Sequence, residues 1–263
     1  MSMPPHYQAH YQVIPVRAFK DNYIWVLRAG SSAAVVDPGE AEPVLEYLAS
    51  ERLELAAILL THHHRDHVGG VGTLLDRFSV PVIGPKNEPI EHLTRKVSEG
   101  ERVEVSAIGA RFDVLDIPGH TRAHIAYYGE KNLFCGDTLF ACGCGRVFEG
   151  TPEQMFASLA KLAALPEDTL VYCAHEYTLA NIRFARAVEP GNTALSERER
   201  AESELRAQNL PTVPSTLARE KATNPFLRCT EPAVIESANK YLGSRIGQPA
   251  QVFAAIRDWK NRF

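Results

Sequence analysis

The sequence predicts a mixed α/β sheet domain over residues 1–174, followed by an all-helical addition over residues 175–263. Three observations carry this. Short apolar runs alternate with stretches of helical period in the first two-thirds of the chain. Four of the apolar runs end in residues able to ligate a metal. After Glu176 the strand patterns stop and only helical patterns continue, which argues for two units. The length of 263 residues suits one large domain or one domain with a smaller companion. A hydrophobic content of 45% allows a substantial core.

In chain order, residues 11–18 and 23–28 are strand-like and joined by the turn residues Lys20-Asp21-Asn22. Ala33-Ala34-Val35-Val36 is a buried strand running into Asp37-Pro38-Gly39. Residues 42–51 have helical spacing, with Val44, Leu45 and Leu48 on one face. Residues 57–60 form a strand, 70–78 a helix and 80–83 a strand. Residues 102–106, 112–117, 125–128 and 132–135 are further strands. Residues 152–164 form a helix with proline in its first turn, and 169–173 is the last clear strand. Residues 179–188, 196–208, 232–241 and 251–262 read as helices. Residues 196–204 are charge-rich, as a solvated helix face would be. Met155, Phe156 and Leu159 are helix core.

The net charge of −4 gives no bulk attraction to nucleic acid or anionic membrane. Residues 1–8 lack an apolar run of signal-peptide length, and no stretch approaches the roughly 20 apolar residues of a membrane span. A periplasmic enzyme and a nuclease are therefore disfavoured, and a cytoplasmic location is expected. The five cysteines, Cys135, Cys142, Cys144, Cys173 and Cys229, suggest no disulfide framework. In Cys142-Gly143-Cys144 one residue separates the thiols, not the two to four of structural zinc sites.

Chemistry concentrates at residues 61–67, Thr61-His62-His63-His64-Arg65-Asp66-His67, where seven residues hold four histidines and an aspartate. Imidazole and carboxylate suit zinc, iron or manganese. In an extended or turn segment His62 and His64 point one way, Asp66 continues that alternation, and His63 points the other way. A turn before Gly69-Gly70 brings His67 round, so one segment could serve two metals. Three more strands end similarly, at Gly119-His120-Thr121, Gly136-Asp137-Thr138 and Ala174-His175-Glu176. Read alone, Asp137 also suits a cap or turn, His120 a loop and His175 a helix start. Together they place four ligand sources at strand carboxyl ends, where sites in α/β folds gather.

This order of motifs resembles the metallo-β-lactamase superfamily, and within it the glyoxalase II (hydroxyacylglutathione hydrolase) family. Supporting stretches are Phe19-Lys20-Asp21-Asn22-Tyr23, Val36-Asp37-Pro38-Gly39, Gly143-Cys144-Gly145-Arg146, Phe148-Glu149-Gly150-Thr151 and Asn224-Pro225-Phe226-Leu227-Arg228. The resemblance implies an αββα sandwich with a C-terminal helical substrate domain. It implies two divalent metal ions, zinc foremost with iron or manganese as alternatives. His62, His64 and His120 would bind the first, Asp66, His67 and His175 the second, and Asp137 both. Asp37 would orient a histidine from behind, with turn formation at Asp37-Pro38-Gly39 an equal alternative. Two metals roughly 3.5–4 Å apart hold a bridging water and lower its pKa towards about 7. The implied reaction is attack of that hydroxide on the thioester of S-D-lactoylglutathione, giving glutathione and D-lactate, the second step of methylglyoxal detoxification. Asp66 and Asp137 would be the catalytic carboxylates. Substrate contacts would come from Arg146, Phe148, Tyr177, Arg257 and Lys260. Relatives can carry tyrosine where this chain has Phe148. Arg257 and Lys260, three apart on a helix, share a face suited to a carboxylate; without the resemblance they would read as solvated. A glutathione persulfide dioxygenase with one iron is the alternative, and a metal-binding scaffold is the non-enzyme reading. A monomer is expected, with no nucleic-acid or membrane partner.

Overall fold

A computed structural model describes residues 10–263; the N-terminal stretch 1–8, read above for a leader, lies outside the described residues. The described chain divides into two compact units. The first comprises residues 10–115 and 125–134, and the second residues 116–124 and 135–263.

The first unit is built on a six-stranded sheet. Its strands are β1 (Gln12–Ala18), β2 (Asn22–Ala29), β3 (Ser32–Val36), β4 (Glu54–Leu59), β5 (Val82–Pro85) and β6 (Arg95–Val97), in spatial order β1-β2-β3-β4-β5-β6. The first three are antiparallel and the rest run parallel to β3. Two-residue-scale turns join the antiparallel strands, while the parallel ones need crossovers. The first crossover is α1 (Glu42–Glu51), which buries Val44, Leu45 and Leu48 as its period predicts. It ends where Arg52 adopts φ 54°, a left-handed stop. The second crossover contains α2 (Arg65–Val68) and α3 (Val71–Leu75). The apolar cluster beneath includes Val26, Val35, Val44, Leu48, Ile58 and Leu74, all at most 2% exposed. A second set of strands follows: β7 (Arg102–Val105), β8 (Ala110–Asp116), β9 (Ile125–Gly129) and β10 (Asn132–Gly136). β7 with β8 and β9 with β10 pair antiparallel.

The second unit opens with the β11 (Leu139–Phe140) and β12 (Gly143–Cys144) hairpin. Next is α4 (Pro152–Ala163), started by a reciprocal capping box between Thr151 and Gln154. β13 (Leu170–Cys173) precedes α5 (Thr178–Val188) and α6 (Thr193–Ala207). β14 (Ser215–Thr216) pairs antiparallel with β13, so strand structure does not end at residue 176 as the sequence pattern suggested. A two-residue strand is too short to show period. α7 (Leu217–Thr223), α8 (Pro232–Leu242) and α9 (Pro249–Arg262) complete the unit. All five cysteines are buried free thiols. Among the described residues no helix is long and apolar enough to cross a membrane.

Candidate metal centre and cleft

In the first unit the donors lie where β3 and β4 end side by side. The parallel register of these strands brings Asp37 to the level of Leu59, whose carbonyl accepts from the Asp37 N–H at 2.9 Å. Past β4 the chain bends at Thr61, is extended at His64 (φ −61°, ψ 142°) and then enters the single turn of α2. Asp66 and His67 therefore sit on a helical turn, which corrects the expectation that the alternation continues to Asp66. The His67 N–H bonds back to the His64 carbonyl at 2.9 Å, the first contact of that turn. The rings of His62 and His64 are 4.7 Å apart, and those of His62 and His67 are 4.1 Å apart. His67 Nε2 lies 3.5 Å from Asp66 Oδ2, which also accepts from Asn22 Nδ2 at 3.1 Å. His63 turns to the buried carboxylate of Glu88 through both its backbone N–H and Nδ1. Gly39 makes this packing possible, since a Cβ there would stand 1.8 Å from the Asp66 carbonyl oxygen.

In the second unit His120, Asp137 and His175 converge. Asp137 Oδ2 is 3.5 Å from His120 Nε2, and Oδ1 is 3.3 Å from His175 Nε2, so the carboxylate lies between the two rings with one oxygen turned to each. His120 Nδ1–H donates to the Arg146 carbonyl at 2.8 Å, which leaves the Nε2 lone pair facing Asp137. The His175 ring stacks on Tyr177 at 4.7 Å and 5°. His124, not singled out from sequence, is fully buried and its Nε2 accepts the Asp137 N–H at 3.2 Å. Its only sequence signal is the second histidine four residues after His120.

A strap of residues 139–146 forms the wall beside these groups, and side chains from the helical segment hold almost every peptide of it. Asn224 Nδ2 donates to the carbonyls of Phe140 (3.1 Å) and Gly143 (2.9 Å), and Asn181 Nδ2 to that of Ala141 (2.9 Å). Glu220 Oε2 accepts the Cys142 N–H at 2.8 Å. Arg257 Nη1 donates to the carbonyls of Cys144 (2.8 Å) and Gly145 (3.4 Å). Gly145 is required here, because a Cβ would meet the Asp137 carbonyl oxygen at 1.9 Å.

A cleft of about 470 Å³ opens in this unit, lined by His120, Asp137, Phe140, Arg146, Phe148, Tyr177, Arg257 and Lys260 among others. A larger groove of about 740 Å³ along α8 contains none of the donors. Phe148 is exposed and its ring stands 5.3 Å from that of His120. Arg257 and Lys260 share a helix face, but neither is solvated as a lone reading of the sequence would have it. Arg257 is 4% exposed, its guanidinium 5.1 Å from the Phe226 ring centre. Lys260 Nζ is 5.0 Å above the Phe184 ring, and burial, reinforced by the Arg257 charge, pulls its pKa down to about 8. The cleft thus has a wall of imidazole and carboxylate at one side and a partly dehydrated cation at another.

Two family models match the chain. One, described as the metallo-beta-lactamase superfamily, covers residues 18–175, and the other, hydroxyacylglutathione hydrolase C-terminus, covers residues 176–263. A hydroxyacylglutathione hydrolase of Nitrosomonas eutropha is 57% identical over 95% of this chain and 98% of its own. One of Vibrio parahaemolyticus is 54% identical over 96% of this chain and 99% of its own. Among solved structures, the ETHE1 protein of Myxococcus xanthus is 26% identical, with a TM-score of 0.64 over 95% of this chain and 97% of its own. The BLEG-1 B3 metallo-beta-lactamase is also 26% identical, with a TM-score of 0.61 over 82% of this chain and 99% of its own. The fold is that of the metallo-β-lactamase superfamily with a C-terminal helical segment.

Proposed function

Because the chain belongs to the hydroxyacylglutathione hydrolase family of the metallo-β-lactamase superfamily, we propose that it hydrolyses S-D-lactoylglutathione to glutathione and D-lactate with two divalent metal ions, zinc foremost. On this reading residues 1–174 are the catalytic domain, whose metal set His175 completes, and residues 175–263 are the helical domain that adds Tyr177, Arg257 and Lys260 to the substrate contacts of Arg146 and Phe148. Its action is cytoplasmic and its working form a monomer.

The donor geometry supports metal binding. Two ligand atoms about 2.0–2.1 Å from a tetrahedral metal stand roughly 3.4 Å apart. The pairs His67 Nε2–Asp66 Oδ2 (3.5 Å), His120 Nε2–Asp137 Oδ2 (3.5 Å) and His175 Nε2–Asp137 Oδ1 (3.3 Å) have that separation, long for a hydrogen bond but right for two ligands of one ion. We assign His62, His64 and His120 to one ion, Asp66, His67 and His175 to the other, and Asp137 to both. This single observation, a carboxylate offering one oxygen to each of two histidines, carries the two-metal reading.

The bound pair supplies Lewis acidity, which polarises the thioester carbonyl and brings the pKa of water towards about 7. The protein's own groups do the rest. Asp66, held by Asn22, orients the nucleophilic water and takes up its proton. A C–O bond forms as the C–S bond breaks, and glutathione leaves as the thiol once the proton returns to sulfur. Lys260 neutralises a peptide carboxylate, with Arg146 a second cation at the cleft. Tyr177 donates a hydroxyl hydrogen bond, and the Phe148 ring packs on the peptide. Arg257 adds positive potential next to Lys260 while its Nη1 stays on the strap and its Nη2 on Asn261.

Hydrolysis of S-D-lactoylglutathione, followed by absorbance with metal content measured on the same sample, tests this. Turnover with about two metal ions per chain is expected. Oxygen uptake with glutathione persulfide and no thioester cleavage would instead support the dioxygenase reading.

Lys260 gives a pH test. Its lowered pKa means that the free enzyme loses this cation as pH rises through about 8, so KM is expected to rise above that pH. Lys260→Met removes the inflection and raises KM about 10- to 100-fold, the loss of one charge-assisted hydrogen bond. Folding stability changes in the opposite direction. Between about 8 and the ordinary lysine value of 10.5 the unfolded chain binds the proton more tightly, so stability rises with pH. Denaturant titrations and initial rates over the same pH range check both.

A further inference from the structure

We propose that Thr61 is a positioning residue that, through Asp37, sets the tautomer of His62 while Asp37 directly sets that of His67, so that one buried carboxylate governs a ligand of each metal. This rests on the two-metal assignment above.

The hydrogen bonds leave one consistent arrangement. Asp37 Oδ1 accepts the Thr61 N–H at 2.8 Å, and Oδ2 accepts the Thr61 hydroxyl at 2.7 Å. Oδ2 also stands 3.0 Å from His67 Nδ1. A carboxylate only accepts, so His67 carries its proton on Nδ1. The Thr61 hydroxyl has one proton and gives it to Asp37. Towards His62 Nδ1, 3.0 Å away, its oxygen must therefore accept, and His62 also carries its proton on Nδ1. Both rings then present the Nε2 lone pair, the state in which imidazole ligates. Thr61 is fully buried and Asp37 is 4% exposed, so water does not compete for these bonds. Asp37 has φ 53°, a left-handed conformation that aspartate and asparagine tolerate better than other side chains.

The relay makes the two sites unequal in what they need. Thr61→Val keeps the shape and the backbone N–H to Asp37 but removes the hydroxyl that His62 depends on. Asp37→Asn keeps the backbone; an NH₂ at the Oδ2 position meets the His67 Nδ1–H and donates to the Thr61 oxygen, which frees the Thr61 proton to turn to His62, while an NH₂ at the Oδ1 position is set against the Thr61 N–H.

The test uses the full chain with ¹⁵N-labelled histidine, as wild type, Thr61→Val, Thr61→Ser and Asp37→Asn. Imidazole ¹⁵N spectra of the metal-free protein report tautomers, and zinc titration reports affinity. The expected result is Nδ1–H for both rings in wild type and Thr61→Ser, loss of that preference for His62 alone in Thr61→Val, and for both rings in Asp37→Asn. One of two zinc equivalents should weaken about 10- to 100-fold in Thr61→Val and both in Asp37→Asn. Unchanged tautomers in Thr61→Val, or the same pattern for Thr61→Val and Asp37→Asn, would overturn the relay. Fewer than two zinc equivalents in wild type would overturn the two-metal reading instead, while the metal-free spectra still decide the tautomers.

Discussion

Asp137→Asn is expected to strip most of the bound metal and to lower thioester hydrolysis by on the order of 10³-fold or more, since both the charge and one shared ligand oxygen are lost. The carboxylate lies between His120 Nε2 and His175 Nε2, one oxygen towards each. An asparagine can offer an oxygen to one side only. On the other side its NH₂ would donate to an imidazole nitrogen and occupy the lone pair meant for metal. Refolding around the change is blocked. His124 holds the Asp137 N–H, and the Gly145 backbone packs against the Asp137 carbonyl so closely that no Cβ fits. The variant should therefore keep its fold, as circular dichroism would show. Metal analysis and initial rates measured on one preparation decide the matter, and a full metal complement at near-wild-type rate would remove Asp137 from the chemistry.

The sequence made most of the donors legible because they lie within a few residues of a strand's end, and the strand's apolar run is a local signal. Val36 leads to Asp37, Leu60 to Thr61 and His62, Gly136 to Asp137, and Cys173 through Ala174 to His175. The resemblance implies that Asp37 orients a histidine, but which residues these groups lean on is not legible in local pattern, because the partners are distant in the chain. Asp37 meets His67 thirty residues on, His63 meets Glu88 twenty-five on, and Arg257 reaches Cys144 across 113 residues. Period also failed where elements are short. The turn of α2 contains four residues, too few to show 3.6-residue spacing, so the pattern gives no helix at Asp66. The helix expected over residues 70–78 is regular only from Val71 to Leu75, although turn contacts continue to Phe78. β6, β11, β12, β14 and α7 were missed for the same reason. Thr61 was visible as a letter of the motif, but its role depends on where one hydroxyl proton points, which only the folded arrangement of Asp37 decides.

Glu220→Gln is expected to cost about 3–5 kcal/mol of stability, as removal of one partner from a buried ion pair does, and to lower the midpoint of thermal unfolding by roughly 10 °C. Glu220 is fully buried and accepts on both oxygens. Arg198 Nη2 (2.6 Å) and the Ser215 hydroxyl (2.5 Å) bond to Oε1, and the Cys142 N–H (2.8 Å) and Asn224 Nδ2 (3.3 Å) to Oε2. A glutamine in either orientation turns its NH₂ against two donors. Arg198, 1% exposed, then keeps Glu202 as its nearby carboxylate, at 3.5 Å from Nε. The consequence reaches beyond stability, because Cys142 and the carbonyls held by Asn224 belong to the strap that ends in Arg146, the acceptor for His120 Nδ1–H. Loosening the strap frees His120 to rotate or to change tautomer, while Lys260, held by its own helix, keeps its place at the cleft. Assayed well below its unfolding midpoint, the folded variant should therefore lose kcat about 10-fold or more and retain KM within a few-fold, with weaker metal retention. If turnover per folded molecule matches wild type, the strap does not position His120 and Glu220 serves stability alone.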